Sequence, residues 1–170
     1  MSKVAILNDT HFGVRNASDI FIDYHRKFFE DFFFPYMKSN SIEHILHLGD
    51  LYDTRKHINF KVANASRKMF LEPLRDAGIT MDIIPGNHDL YYRNTSDLMS
   101  LKEMLGYFTS NINVVTEPTV LEYGALKIGA IPWINAENYS KCVRFAETAS
   151  ADWIGAHLEL DGFEMMRGVK

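Results

Sequence analysis

Four times along this chain a short apolar run gives way to a loop that carries an acid, an amide or a histidine. Val4-Ala5-Ile6-Leu7 runs into Asn8-Asp9-Thr10-His11-Phe12-Gly13, and His44-Ile45-Leu46-His47-Leu48 into Gly49-Asp50-Leu51-Tyr52-Asp53. Met81-Asp82-Ile83-Ile84 then runs into Pro85-Gly86-Asn87-His88-Asp89, and Trp153-Ile154 into Gly155-Ala156-His157. Apolar runs this short read as buried strands, and helical patterns fill the spaces between them. Ser18 or Asp19 caps a helix expected to reach about Phe34, with Pro35 ending or kinking it. Asn59 caps a second, with Gly78 just past its end; Ser96 caps a third that stops at Gly106; Glu137 to Ala149 reads as a fourth. Thr119–Tyr123 and Ala125–Ile131 flank Gly124 as a β-hairpin. Strands alternating with helices predict an α/β layer fold. Ligands in such sheets bind beyond the carboxyl ends of the strands, so the four polar loops are expected to share one edge and one site.

A chain of 170 residues suits one domain, expected to span 1–170. Lys+Arg 18 against Asp+Glu 22 leaves a net charge of −4, so bulk charge does not grip nucleic acid and any such role needs a local site. The one cysteine, Cys142, permits no intramolecular disulfide and suits a reducing compartment. The apolar start Val4–Leu7 is too short for a signal-peptide core, and no stretch approaches the ~20 apolar residues of a membrane helix. The expected setting is cytoplasmic, with no membrane contact.

The loops carry the chemistry. Asp9 and His11, two residues apart, can bind one divalent cation from adjacent directions, although Asp-x-His alone is equally compatible with an ordinary loop. Gly49 frees the backbone to turn so that Asp50 points into a cleft, where a capping role is the bland alternative. Gly86-Asn87-His88-Asp89 is more specific: a neutral oxygen ligand, a proton donor or ligand, and an acid stand side by side on one turn.

In this order, Asp9-x-His11, Gly49-Asp50, Gly86-Asn87-His88-Asp89 and Gly155-Ala156-His157 resemble the signature of the calcineurin-like metallophosphoesterases. Asp50-Leu51-Tyr52-Asp53-Thr54-Arg55-Lys56 and His157-Leu158-Glu159-Leu160-Asp161-Gly162-Phe163 resemble, more narrowly, the SbcD-type double-strand-break nucleases, including the small recombination endonuclease subunits of tailed bacteriophages. The likeness runs from Val4 to the C-terminus. It implies a layered β-sheet core flanked by helices and a two-metal phosphodiesterase, usually manganese-dependent, acting on DNA in recombination or repair with an SbcC-type ATPase. By matching position, Asp9 and His11 would bind the first metal, Asp50 would bridge both, and Asn87 and His157 would bind the second. His88 would be the catalytic histidine over the scissile phosphate.

Those residue types make physical sense. Two cations ~3.5–4 Å apart need a shared anion, which a carboxylate supplies. Mixed imidazole, carboxylate and amide donors suit Mn²⁺ or Zn²⁺ better than Ca²⁺. Bound cations would also reconcile a net charge of −4 with a polyanionic substrate. In one respect the chain departs from the pattern: no Gly-x-His-x-His segment follows His157, and the family's DNA-capping domain has no counterpart. The expectation is therefore a domain truncated before its last metal motif, with three protein ligands per metal, completed by a second polypeptide or standing as a shortened, non-catalytic dimerisation and ATPase-docking core. A phosphatase for small phosphate esters is a further alternative. Such relatives carry Asp-Arg-Gly after the second loop, where this chain has Asp53-Thr54-Arg55-Lys56.

Other residues take blander readings. His44 and His47 lie on opposite faces of one strand as structural histidines, and His25 packs or faces solvent. Phe28, Phe29, Phe32, Phe33 and Phe34 read as a wide buried helix face, with a partner groove as the alternative. Asp53 and Asp89 are expected to accept orienting hydrogen bonds, for instance from a histidine. Arg55, Lys56, Lys61 and Arg93, with Tyr91 and Tyr92, either hold DNA or form a solvated rim. Val62, Met69, Phe70, Leu98, Leu101 and Leu105 stand at helical spacing as the candidate surface of a homodimer.

Overall fold

The computed structural model describes residues 3–159. The Asp161-Gly162-Phe163 part of the last motif lies outside them. Strands β1 (Val4–Leu7), β2 (His44–His47), β3 (Thr80–Ile83) and β4 (Ile112–Val114) form one sheet in sequence order, every pair parallel. Val4 pairs with His44 and His44 with Thr80, so the three strands that feed polar loops end level with one another. Strands β5 (Thr119–Tyr123), β6 (Leu126–Ile131) and β7 (Trp153–Ala156) form a second sheet, with β5–β6 the expected hairpin and β6–β7 parallel. Strand β4 escaped the sequence reading because its three residues include a polar Asn113 and sit among further polar residues.

Alternate positions of the central strand separate the two faces. Ile45 enters the aromatic core under the helices, while Leu46 meets Tyr123 and Ile128 of the second sheet. On the outer face of that sheet, a Cβ on Gly129 would lie 3.1 Å from Phe145, which places helix Tyr139–Thr148 there. The order is helices, four-stranded sheet, three-stranded sheet, helix.

Helix α1 continues through Pro35. It joins an α-helical segment Asp19–Lys27, a π-helical segment Phe28–Phe33 and an α-helical segment Phe34–Ser39. Helix α2 repeats the plan with Phe60–Ser66, a π-helical Arg67–Leu71 and Glu72–Asp76, which contains Pro73. Proline lacks the N–H of the regular ladder and crowds the carbonyl one turn before it. The widened turn just upstream absorbs both defects: Phe34 N–H bonds Phe29 O and Glu72 N–H bonds Arg67 O, each five residues back. Of the two outcomes expected at Pro35, an end or a kink, the end is thereby corrected. Asn59 caps α2 as expected, its side chain accepting from Lys61 N at 2.8 Å. The third helix, α3, begins later than expected, at Ser100–Leu105; Ser96 instead accepts from Asn135 Nδ2 at 2.9 Å. Helix α4 is Tyr139–Thr148.

The phenylalanine block divides. Phe29 and Phe33 are buried, and the Phe29 ring lies 4.7 Å from that of Phe70 at the centre of the core, while Phe28 and Phe32 face solvent. The dimer reading of α2 and α3 is also corrected. Val62, Met69, Phe70, Leu101 and Leu105 are buried in the chain's own core, which leaves only Leu98 of that set exposed. Burying each such side chain contributes ~1.5–3 kcal/mol to folding, and one apolar surface cannot be buried twice.

Candidate metal centre

Parallel strands that end level place their following loops on one rim. There the first two loops are laced by backbone hydrogen bonds: Asp9 N to Gly49 O (3.1 Å), His11 N to Asp50 O (3.0 Å), Phe12 N to Leu51 O (2.9 Å) and Asp53 N to Phe12 O (3.1 Å). Within the lacing Asp9, His11 and Asp50 take positive φ of 50°, 47° and 55°. Such left-handed backbone costs on the order of 1 kcal/mol per residue and persists where surroundings over-determine it. Here it turns all three side chains toward one another. His11 Nε2 stands 3.5 Å from Asp9 Oδ1 and 3.5 Å from Asp50 Oδ2.

Asp50 is almost wholly buried and stands between two groups. Its Oδ2 also lies 3.6 Å from His157 Nε2, which is 3.0 Å from Asn87 Oδ1, while its Oδ1 accepts from His88 N at 2.7 Å. His157 Nδ1 faces Leu48 O at 2.8 Å. A carbonyl only accepts, so Nδ1 carries the proton and a neutral ring turns the Nε2 lone pair toward two oxygens. A cation among the three satisfies them. The separations of 3.0–3.6 Å match the edges of a coordination shell whose bonds are ~2.0–2.2 Å long. Every expected ligand, Asp9, His11, Asp50, Asn87 and His157, is brought to this cleft, and the donors fit divalent cations.

Two glycines permit the approach. Gly49 has φ of +95°, and a Cβ there would stand 2.6 Å from Gly86 N; a Cβ on Gly86 would fall on the Asp50 carboxylate. Loops two and three touch backbone to backbone. Asp89 fastens them from beneath. Its Oδ2 accepts from Asp50 N (2.7 Å) and Gly86 N (2.9 Å), and its Oδ1 from Leu51 N (3.2 Å). Burial pushes its carboxyl up to about 6, opposed by these N–H donors. Asp89 is thus an orienting hydrogen-bond acceptor, with backbone N–H groups as its donors in place of the histidine offered as an example. Asp53 does face a histidine, with Oδ1 3.6 Å from His11 Nδ1. Its carbonyl accepts from His88 Nδ1, so His88 presents Nε2 to the cleft side, with its ring edge-on to His11 at 5.0 Å.

His47 is fully buried. Gly49 N donates to its Nδ1 (3.2 Å), so Nε2 carries the proton toward Thr10 Oγ1 (2.6 Å), the residue between Asp9 and His11. Burial holds its imidazole down to about 3. His44 Nδ1 meets Thr80 Oγ1 at 2.7 Å, and the His25 ring packs edge-on to Phe12 at 5.3 Å. All three take the structural places expected of them.

A cavity of about 650 Å³ opens over Asp9, Asp50, Asn87 and His157, lined also by Asn8, Trp133 and Glu159. Trp133 was missed from the sequence, although it follows β6 just as the other loops follow their strands. Its ring lies 5.9 Å from that of His157. Beside the cleft, Lys56 Nζ stands 5.6 Å from the Tyr91 ring, which meets Tyr92 at 4.7 Å; Arg55 is half-buried and Arg93 exposed. Lys61 is drawn away to Asp19 at 2.9 Å. Among the described residues no helix is long and apolar enough to cross a membrane.

The profile of the calcineurin-like phosphoesterases matches residues 2–161. Exonuclease subunit 1 of Enterobacteria phage T4 is 34% identical over 172 residues, covering 99% of this chain and 49% of that protein. The chain thus spans about half the length of this curated relative. The crystal structure of Pseudomonas putida nuclease MPE aligns with a TM-score of 0.42 and 22% identity, over 79% of this chain and 65% of that one. With the profile covering nearly every residue that builds the sheets and their polar rim, the chain belongs to the calcineurin-like phosphoesterase family.

Proposed function

We propose that the chain is the metal-binding core of a DNA phosphodiesterase, a nuclease subunit that works beside an SbcC-type ATPase in recombination or repair. One observation carries the metal assignment: Asp50 Oδ2 lies 3.5 Å from His11 Nε2 and 3.6 Å from His157 Nε2, between two separate donor groups. In this reading Asp9, His11 and Asp50 hold one divalent cation, and Asp50, Asn87 and His157 hold a second; the donor set suits Mn²⁺ or Zn²⁺, and the family resemblance implies Mn²⁺. When bound, such cations neutralise phosphate oxygens and supply a water acidic enough to deprotonate near neutral pH.

The chain's own groups do the rest. His88 is pinned through Nδ1–H to the Asp53 carbonyl, so its Nε2 donates to a phosphate oxygen only when the ring is protonated. In that form it protonates or hydrogen-bonds the leaving oxygen. Asp53 steadies both His11 and His88. Arg55 and Arg93 engage the DNA backbone, while Lys56 and Tyr91 present a cation and a ring to it. The phage relative is named as a subunit, which supports a partner polypeptide.

The test is Mn²⁺ calorimetry on the chain, followed by hydrolysis assays on DNA and on p-nitrophenyl phosphate with the complete subunit and its partner. Two Mn²⁺ equivalents and a preference for DNA support the reading. Failure to bind Mn²⁺ overturns the metal assignment, and a preference for the small ester overturns the substrate.

A further inference from the structure

The cavity over the donor groups holds more than cations need. Beside the metal donors its wall carries Leu48, Trp133 and Leu158, with Asn8 and Glu159 as polar groups among them. Its volume of about 650 Å³ falls within the ~300–1,000 Å³ of sites that enclose a small organic molecule. That is room for a single nucleotide.

Trp133 is the largest of these side chains, and its backbone is clamped at both polar groups. Its N–H donates to Pro85 O at 2.8 Å, at the start of the third loop, and its carbonyl accepts from Asn138 Nδ2 at 3.0 Å. The side chain packs against the core yet stays half-buried, lining the cavity. Its ring stands 5.9 Å from that of His157, with 67° between planes. A phosphate resting on cations held by His157 therefore leaves the rest of its own molecule within reach of the indole.

Charge says which part of a ligand goes where. None of the described residues lining the cavity is Lys or Arg, so an anion is attracted by bound cations alone, and Glu159 repels it. The Trp133 side takes the uncharged part. There an indole is bordered by two acceptors: the Glu159 carboxylate and Asn8 Oδ1, the Asn8 Nδ2 being turned to Asp9 at 2.5 Å. A nucleobase has the matching form, with π-faces for the indole and N–H groups at its edge for the acceptors.

Resting on the reading of the cleft as a phosphodiesterase centre, we propose that Trp133 is its nucleobase platform. The nucleotide whose phosphate lies on the cations stacks its base on the indole and turns its N–H edge to Glu159 and Asn8.

Fluorescence and calorimetry of the full chain with Mn²⁺ test it. Trp153, the other tryptophan, is 70% exposed on the second sheet, so Trp153→Phe leaves Trp133 as the single indole reporter. Deoxyadenosine 5′-monophosphate should quench its emission, and deoxyribose 5-phosphate should not. Trp133→Leu should weaken the nucleotide ~10–100-fold, the worth of one base stack, with affinity for Mn²⁺ and for deoxyribose 5-phosphate unchanged. Trp133→Phe should restore most of that loss. Phenyl phosphate, flat but with no N–H for the acceptors, should bind more weakly than the nucleotide. Equal affinity for nucleotide and sugar phosphate, an equal loss of both in Trp133→Leu, or phenyl phosphate binding as tightly as the nucleotide overturns the proposal and leaves the phosphodiesterase reading standing. Absence of binding by nucleotide and sugar phosphate alike overturns both.

Discussion

Asp9, His11 and Asp50 stand on loops laced backbone to backbone, whereas His157 reaches the same cleft from the edge strand of the other sheet. Four cross-loop hydrogen bonds hold the first group, with Asp89 beneath it. His157 is held by Leu48 O and by the packing of Gly155, where a Cβ would stand 2.9 Å from Leu48. One group is thus fixed within a sheet and the other by how two sheets sit together. Asp50 belongs to both, so it is the residue through which the two should fail together, and each remaining residue should fail on its own side.

The largest effect follows from that sharing. Asp50→Ala should abolish Mn²⁺ binding at both positions, since it removes a donor from each group; calorimetry that still finds one tight equivalent would break the bridging assignment. Next comes His88, whose backbone N–H bonds Asp50 but whose imidazole is assigned to neither donor group. His88→Gln should leave Mn²⁺ affinity nearly unchanged while cutting DNA hydrolysis roughly 10²–10⁴-fold, the range of a positioned acid or base. Loss of metal together with activity would make His88 a ligand instead. Gly86→Ala strikes the contact between loops and should cost on the order of 3 kcal/mol of stability by driving a Cβ into Asp50. Denaturant unfolding measures it, and a neutral result would mean the lacing is slack. His157→Ala or Asn87→Ala should weaken one Mn²⁺ equivalent by at least ~10-fold and spare the other. Equal loss of both would show that the two sides are one unit.

The smallest effect concerns the buried support of the first loop. His47 has a folded value of about 3 against an ordinary 6.5. Below pH 6.5 the unfolded chain therefore binds a proton that the folded chain refuses, and stability falls as pH drops toward 3. By pH 5.5 that loss is ~1 kcal/mol. Thermal melts at pH 7.5 and 5.5 should show wild type losing this increment and His47→Gln escaping it. The paired comparison cancels the opposing contribution of Asp89.

Much of the rim was legible in the sequence because strand pattern and loop chemistry coincide there. Short apolar runs put Asp9, His11, Asp50, Asn87 and His157 after strand ends; parallel pairing made the first three ends one edge, whereas the expected fourth end lies in the second sheet, which brings His157 to the same cleft. What stayed hidden depends on partners far away in the chain. Asp89 reads as an acid beside a histidine, yet it binds the N–H of Asp50, 39 residues earlier. Met69 and Phe70 read as an apolar helix face with no way to tell the chain's own core from a second copy. His88's choice of nitrogen depends on a backbone carbonyl in another loop. Pro35 misled because its usual effect assumes regular α winding.

That winding has a consequence for how α1 keeps time. Successive exposed residues Ile20, Tyr24, Phe28, Phe32 and Tyr36 are four apart, as are buried Phe29, Phe33 and Met37. At 3.6 residues per turn each step of four overshoots by ~40°, so five such beats would wander about 160° around a regular helix. A turn of about 4.4 residues undershoots by nearly as much. Placing Phe28–Phe33 in the middle sets the clock back, so a four-beat rhythm stays on one side from end to end. Winding that segment as regular α-helix with every residue kept would throw each later beat off by ~100°, carrying Tyr36 away from the exposed row while leaving its composition untouched.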